Sequence, residues 1–245
     1  MNLKKIKNSD AKTIAYTYDK RNTPCIVYLH GLCSSRQSEK GKRLARFCEE
    51  NGYSFLAVDY TGHGESEGLP SDFRIKRCLD DVIQVLETEQ PQEDLYFVGS
   101  SMGAWVAFLA AEKLKDRIKG IIACAAGVDF LPMVWKHFFT DDIRNELQNG
   151  KVLGPSEETY GYCFSYEMFT QAEPYLLLNR KIHYTGPVIL VHGDKDTVIP
   201  YQNSLKIKDA LESKQVCVQI IKGEGHSLSG FPLERTLKFF IKQEE

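Results

Sequence analysis

The sequence has no apolar run long enough to cross a membrane. Its longest such runs, Gly103–Ala111 and Gly120–Val128, stop at nine residues, whereas a membrane-spanning helix needs about 20. The segment Met1–Asp10 carries lysines but lacks the apolar stretch of a secretory signal. We therefore expect no stable membrane insertion and a cytoplasmic protein, or one of the mitochondrial matrix if a transit peptide has been removed.

The sequence also has no surplus of charge of either sign. It holds 31 Lys and Arg against 33 Asp and Glu, so the formal net charge is −2. This balance argues against a nucleic-acid binder that depends on a broad basic surface. With 42% hydrophobic and 26% charged residues in a chain of 245, the composition predicts a folded protein of one large domain or two small ones.

Cysteines are present, but without the spacing that a metal site needs. There are seven, an odd number, and none forms a C-x-x-C pair. In the absence of a secretory signal, this usage predicts free thiols in a reducing compartment and no metal site. The cysteines are Cys25, Cys33, Cys48, Cys78, Cys124, Cys163 and Cys217.

Short apolar runs alternate with amphipathic segments along most of the chain. Such runs are typical of parallel strands covered on both faces, and their alternation with helices predicts a doubly wound parallel sheet. The alternating run Thr13–Tyr18 would add an antiparallel edge strand. The predicted buried strands are Cys25–Leu29, Phe55–Asp59, Leu95–Val98, Ile118–Cys124, Val188–Val191 and Cys217–Ile221. The predicted helices are Glu39–Asn51, Phe73–Glu89, Met102–Lys115, Tyr201–Glu212 and Leu233–Lys242.

One stretch, residues 127–184, interrupts this alternation. It contains no strand-like run and is too long for a plain loop of a compact domain. We expect a helical lid inserted into a core of residues 1–126 and 185–245, as part of one structural domain. The alternative is an insertion that only completes the core. The aromatic residues of this insert are Phe130, Trp135, Phe138, Phe139, Tyr160, Tyr162, Phe164, Tyr166, Phe169 and Tyr175.

The segment Gly99-Ser100-Ser101-Met102-Gly103 lies between a predicted strand and a predicted helix. A G-x-S-x-G sequence at such a junction places its serine on a strained turn, which requires small residues two positions to either side. The Ser101 side chain would then project at a helix N-terminus, where free N–H groups favour developing negative charge. The pattern predicts a nucleophile; the alternative is an ordinary serine in a tight glycine turn.

Two further groups follow Ser101 in the order nucleophile, acid, histidine. His226 comes after the last predicted strand, and histidine side chains, with an ordinary pKa of ~6.5, can take up and return a proton at neutral pH. Asp196 follows the preceding strand and would accept the Nδ1–H of His226. Asp194 in the same loop and Asp129 at the start of the insert are alternative acids.

The loop His30-Gly31-Leu32-Cys33 follows the first predicted parallel strand. With Ser101 as nucleophile, the backbone N–H groups of Leu32 and Met102 are the expected oxyanion hole. Cys33 would lie at the site entrance, where its thiol could be oxidised, whereas as a rival nucleophile it lacks the strained turn. We expect His30 and His192, at strand ends, to hold their loops.

Five segments together resemble the α/β-hydrolase superfamily and span nearly the whole chain in the order of that family. The resemblance implies a mostly parallel, doubly wound sheet with a helical lid after the sixth strand, and a serine-type site. The form Gly-Ser-Ser-Met-Gly-x-Trp is most similar to the small esterase and acyl-protein thioesterase group, which includes bacterial serine hydrolases and mitochondrial depalmitoylating enzymes. Ala104, where relatives often carry glycine, is a departure that does not touch the chemistry. The segments are Val27–Gly31, Val58–Ser66, Gly99–Trp105, His192–Pro200 and Gly225–His226.

We accordingly expect a serine hydrolase that cleaves carboxylic esters or thioesters through an acyl-serine intermediate, with no metal or organic cofactor. Its substrate would be a small ester, an acyl-thioester or an acylated protein, and the sequence indicates no oligomeric state. The same residues could instead cleave a carbon–carbon bond, a lactone or a peptide, and a catalytically inactive binding protein is the alternative outside enzymes. The expected walls of a medium or long apolar pocket are Cys33, Trp135, Phe138, Phe139 and Tyr162.

Overall fold

The computed structural model describes residues 2–156 and 161–244, so Tyr160 of the insert lies outside the described residues. Within these ranges eight strands form one sheet, and eight α-helices flank the sheet or belong to the insert. The strands are β1 Leu3–Lys7, β2 Thr13–Asp19, β3 Asn22–Leu29, β4 Tyr53–Val58, β5 Leu95–Ser100, β6 Ile118–Cys124, β7 Val188–Gly193 and β8 Val216–Ile221. The helices are α1 Glu39–Asn51, α2 Ile75–Glu89, α3 Met102–Leu114, α4 Phe130–His137, α5 Asp141–Gln148, α6 Tyr166–Thr170, α7 Gln202–Ala210 and α8 Leu233–Glu244.

The strands are ordered β1-β2-β4-β3-β5-β6-β7-β8 across the sheet. All neighbouring pairs from β4 to β8 are parallel, while β2 runs antiparallel to both of its neighbours. The predicted doubly wound, mostly parallel sheet is therefore confirmed. Because the carboxyl ends of the parallel strands lie along one edge, the loops after β3, β5, β7 and β8 meet there.

The N-terminal prediction is wrong in one respect. Thr13–Tyr18 does form an antiparallel strand, but β1 lies outside it and is the edge of the sheet. The sequence pattern does not indicate β1, because its five residues are mostly lysine and its burial is only partial. Charged side chains on an edge strand also discourage pairing with another chain, which explains their presence there.

Helices cover both faces of the sheet. On β3, Ile26 and Tyr28 pack in a cluster that includes side chains of α1 and α8. Val27 and Leu29 point to the other face and pack with side chains of α2, α3 and α7. Buried from both sides, the central strands read as nearly continuous apolar runs, which is why the sequence predicts them within three residues of their ends.

The insert is helical in its described part, with α4, α5, α6 and an isolated bridge between Leu153 and Phe164. Its buried side chains, among them Leu131, Phe139 and Met168, belong to the same core cluster as α3. The insert therefore shares the core of the sheet, and its role as a lid stays a prediction. In the described ranges, no helix has both the length and the apolarity to span a membrane.

Candidate active site

The candidate nucleophile lies at the tight turn between β5 and α3. Ser101 has φ +54° and ψ −120°, a backbone conformation that persists at a non-glycine residue only where its surroundings enforce it. A Cβ at Gly103 would lie 2.0 Å from the carbonyl oxygen of Leu29, and a Cβ at Gly99 would lie 2.6 Å from the Cα of Ala104. This crowding is the physical reason for the glycines of the G-x-S-x-G pattern.

Two hydrogen bonds join Ser101, His226 and Asp196. The Oγ of Ser101 lies 3.0 Å from Nε2 of His226, and Nδ1 of His226 lies 2.7 Å from Oδ2 of Asp196. Because an ionised carboxylate only accepts hydrogen bonds, Nδ1 carries the proton and Nε2 can accept the hydroxyl proton of the serine. The structure thus brings the three sequence-predicted residues together, from three different loops, in the geometry of a nucleophile, a base and an orienting acid.

The carboxylate of Asp196 is buried and accepts hydrogen bonds on both oxygens. The backbone N–H groups of Val198 and Ile199 each donate to Oδ1 over 2.9 Å. Burial by itself raises the pKa of Asp196, but hydrogen bonds from His192 and His226 outweigh it and hold that pKa well below the usual range of aspartate. Asp196 therefore stays ionised beside His226.

A second histidine contacts the same carboxylate, and sequence reasoning missed this contact. Nε2 of His192 lies 3.0 Å from Oδ2 of Asp196 and 2.9 Å from the carbonyl oxygen of Ile199, so Nε2 carries a proton. Nδ1 of His192 lies 2.8 Å from Oγ of Ser204, whose hydroxyl can donate to it. The signal that could have indicated this contact is the spacing of four residues between His192, near the end of β7, and Asp196 in the loop that follows.

The two alternative acids do not contact His226. Asp129 accepts hydrogen bonds from the backbone N–H groups of Leu177 and Leu178. These bonds lower the pKa of Asp129, but burial outweighs them and raises that pKa to about 6. Asp194 accepts from the backbone N–H of Gly223 over 2.6 Å and so ties the loop after β7 to the loop after β8. Both carboxylates therefore hold loops.

The predicted oxyanion donors flank the serine. Leu32, Met102 and Ser101 line one cavity, and a Cβ built at Gly31 would lie 3.2 Å from the Cβ of Ser101. Nδ1 of His30 donates to the carbonyl oxygen of Gly31 over 2.7 Å, so His30 holds the loop that carries Leu32. Met102 is the first residue of α3, where backbone N–H groups have no partner within the helix.

Comparison with known proteins identifies the family of the chain. Residues 20–150, more than half of the chain, match the family described as serine aminopeptidase, S33. The chain belongs to this family. The predictions of an α/β-hydrolase fold and of a serine hydrolase are thereby confirmed.

Relatives and solved structures of similar sequence align with most of this chain. The mitochondrial palmitoyl-protein thioesterase ABHD10 of Mus musculus is 30% identical over 229 residues, which are 91% of this chain and 75% of the relative. The structure of mouse alpha/beta hydrolase domain-containing protein 10 has a TM-score of 0.90 at 26% identity and covers both chains completely. A putative hydrolase from Agrobacterium vitis has a TM-score of 0.88 at 24% identity over 99% of this chain and 98% of its own, which shows the fold alone.

In this protein, two cavities meet at Ser101. One is narrow and apolar, with a volume of about 40 Å³. The other is open and more polar, with a volume of about 380 Å³. Leu32, Ser101 and Tyr162 border both of them. The remaining residues of the apolar cavity are Met102, Phe130, Val134, Phe138, Phe164, Val198 and Ile199.

The predicted pocket residues divide into two groups. Phe138 and Tyr162 line the apolar cavity, as expected. Trp135 and Phe139 do not line either cavity, because they pack behind the wall, where the Trp135 ring lies 4.9 Å from that of Phe169. Phe130, Val134 and Phe164 take their place in a cavity of about 40 Å³. The rings of Trp135 and Phe139 pack against each other and against Phe169, and helical periodicity in a single segment does not reveal such contacts.

Cys33 is not among the described residues that line either cavity. The residue is exposed, with φ +54°, but its thiol faces the backbone of Cys163. Partial burial of the thiol raises the pKa of Cys33. A hydrogen bond with the backbone of Cys163 lowers this pKa, but the effect of burial is larger. A raised pKa disfavours the thiolate, so the structure does not favour Cys33 as a nucleophile or as a reactive redox group.

Proposed function

We propose that the protein hydrolyses carboxylic esters and thioesters through an acyl-enzyme on Ser101. The observation that carries the proposal is the unbroken pair of hydrogen bonds from the Ser101 hydroxyl through His226 to the ionised Asp196, at a strained turn. A serine, a histidine and a carboxylate in this order supply the nucleophile, the general base and the orienting charge of acyl transfer.

In the acylation step, Nε2 of His226 takes the hydroxyl proton while Oγ of Ser101 attacks the carbonyl carbon of the substrate. The backbone N–H groups of Leu32 and Met102 bind the oxyanion, and the loss of one such donor typically costs ~10²–10³ in rate. His226 then gives its proton to the departing oxygen or sulfur atom. The ionised Asp196 stabilises the imidazolium through both transfers.

Deacylation repeats the same sequence with water. His226 takes a proton from a water molecule that attacks the acyl-serine carbonyl, and it returns that proton to Oγ of Ser101 as the acid departs. The side chain of His226 is 23% exposed, so water can reach the face from which the leaving group has gone. The enzyme therefore completes its cycle with the same three side chains and two backbone donors.

The charges around the open cavity favour an ester or thioester over a peptide N-terminus. An aminopeptidase needs a carboxylate to bind the α-ammonium group of its substrate. Among the described residues of the cavity, the one carboxylate is Glu39, and Lys40 follows it in the chain, while Arg43 is already paired with Glu234. A cationic substrate would meet no net negative site there.

The acyl donor we propose includes thioesters. The mouse and rat relatives are named palmitoyl-protein thioesterase, and the zebrafish relative, which this chain covers to 56% of its length, is named lysophosphatidylserine lipase. Their named substrates share an acyl carbonyl with a polar leaving group.

We also propose a mitochondrial location, one of the two compartments that the sequence suggests. The mouse and rat relatives carry that designation in their names. Cell fractionation tests this location.

Labelling with a fluorophosphonate probe tests the proposed function. The wild type should be labelled and the S101A variant should not, since the probe reacts with an activated serine. H226A should label far more slowly because the serine loses its base. H183A is the matched control, because His183 is exposed and contacts Glu212 away from the site. Equal labelling of S101A and wild type, with no acyl-ester turnover, would refute the assignment.

A further inference from the structure

The two cavities at Ser101 differ in which catalytic group they reach, and this difference decides what each can hold. His226 lines the open cavity, but it is not among the described residues of the apolar one. A general acid must contact the atom that it protonates, so the leaving group has to occupy the cavity that His226 borders. The acyl chain is then directed into the apolar cavity, beside Met102. This step rests on the proposed function.

The apolar cavity is small. Its volume is about 40 Å³, against about 380 Å³ for the open cavity. The apolar cavity is therefore about tenfold smaller than the open one, and a short acyl chain fits it better than a long one.

The wall that limits the cavity is packed from behind. Phe164 is 2% exposed, and its ring lies 5.2 Å from Phe139 and 5.8 Å from Phe169. Phe130 packs edge-on against the buried ring of Trp105, 6.1 Å between centroids. Room for a longer chain would require these interlocked rings to move together, which close packing opposes.

The open cavity has the opposite character. It is about 380 Å³ in volume, and it is bordered by Ser34, Ser38, Ser227, Ser229 and Lys40. The Lys40 ammonium already donates to the carbonyl oxygen of Ser227 over 2.9 Å, so the basic group is held at the rim. A large leaving group with hydrogen-bonding atoms fits this surface better than an alkyl chain does.

We infer that the enzyme selects esters and thioesters that pair a short acyl chain with a large polar leaving group. The narrow wall of Phe130, Val134, Phe138 and Phe164 sets the acyl length. The hydroxyl-lined cavity beside His226 accepts the leaving group. Selectivity for the acyl chain thus comes from the insert, whereas the chemistry comes from the edge of the sheet.

Acyl length is tested with nitrophenyl acetate, butyrate, octanoate and laurate, which share one leaving group. The value of kcat/KM should be highest for acetate or butyrate and fall at least about 10-fold by octanoate, since one methylene in a fixed pocket is worth 10-fold or more. Highest kcat/KM on octanoate or laurate would overturn the inference. No turnover of any ester, with no probe labelling, would instead refute the proposed function.

Two substitutions and one control connect the profile to the wall. F138A, at a half-buried position, should move the optimum to longer chains, and V134F should reduce turnover of butyrate more than of acetate. F239A removes the same ring from a site that is 62% exposed on α8 and should leave the profile unchanged. An unshifted optimum in both F138A and V134F, with both proteins folded by circular dichroism, would contradict a wall made by these residues.

The leaving group is tested by comparing two acetyl thioesters, one of N-acetylcysteamine and one of an alkanethiol of equal length. The polar thiol should give a kcat/KM about 10-fold higher, because the hydroxyl groups of the open cavity can bind its amide. Equal values, or a preference for the alkanethiol, would show that the open cavity does not select polar leaving groups.

Discussion

The turn around Ser101 and the insert loop around Gly154 tolerate change very differently. At the turn, a Cβ on Gly103 would lie 2.0 Å from a backbone oxygen, and the serine itself has a strained φ of +54°. In the insert, a Cβ added to Gly154 would meet nothing within 4 Å. The contrast indicates that the nucleophile depends on backbone atoms with fixed positions, whereas this exposed part of the insert leaves its backbone room for a side chain.

The largest effect is expected at the turn itself. S101A should lower kcat by ~10³-fold or more with little change in the free energy of unfolding, because the hydroxyl is the nucleophile and its removal leaves the turn intact. Steady-state kinetics on nitrophenyl acetate, with urea unfolding of the same samples, provides the measurement. Turnover near that of wild type would place the nucleophile elsewhere.

A backbone test compares the two regions directly. G103A should destabilise the protein by about 3 kcal/mol or more, since its methyl group would overlap a carbonyl oxygen that cannot move without the sheet. G154A, the matched change in the insert, should alter the unfolding free energy by less than about 0.5 kcal/mol. Thermal or urea unfolding of both variants measures the difference. Similar losses in the two would remove the distinction between the regions.

A smaller effect is expected from the second histidine on Asp196. H192L removes the donor 3.0 Å from Oδ2 and should lower kcat by about 10-fold, because the loss of this contact lets Asp196 move from its position against His226. With one donor fewer, the carboxylate interacts more strongly with the His226 imidazolium, so the acid limb of the kcat/KM profile should shift to higher pH. H192Q keeps an N–H donor and should restore much of both properties. An unmoved acid limb in H192L would mean that His192 acts only in packing.

The smallest effect concerns two aspartates whose pKa values shift in opposite directions. The pKa of Asp196 is held below its usual range, so its charge stabilises the fold above pH ~3.9 and that stabilisation is lost as the pH falls further. Burial raises the pKa of Asp129 to about 6, so its charged form opposes folding above that pH and the protein gains stability as the pH falls from 7 to 5. Unfolding of D196N and D129N at pH 7 and pH 5 should therefore show a loss for D196N at both values and, for D129N, a gain at pH 7 that shrinks at pH 5. A D129N variant less stable than wild type at pH 7 would contradict the shift at Asp129.

Sequence reasoning predicts the parts of this molecule that backbone geometry dictates. Strands β3 to β7 stand out because burial on both faces leaves nearly unbroken apolar runs. The prediction of a buried strand is wrong for β8, which is a partly exposed edge of the sheet. Ser101 is identified by its glycines, and Asp196 and His226 by their order after it and their places at strand ends. All three positions follow from the sheet, whose strands end at one edge.

The features that sequence reasoning misses depend on side chains from separate elements. β1 is missed because three of its five residues are lysine and its burial on the sheet edge is only partial. Trp135 and Phe139 are as apolar as Phe130 and Phe164, and only the packing of their rings against Phe169 turns them away from the cavity. The contact of His192 with Asp196 likewise depends on how one turn folds back. Such contacts are fixed by tertiary packing, so local pattern does not reveal them.

The central claim is that the acyl group is carried by Ser101, and mass spectrometry of the acid-quenched enzyme tests it most directly. Wild type mixed with nitrophenyl acetate and quenched within the first turnovers should gain one acetyl group on the peptide that contains Ser101, and S101A should gain none. An acetyl group on Cys33 or on another side chain, at the rate of turnover and unaffected by S101A, would contradict the account.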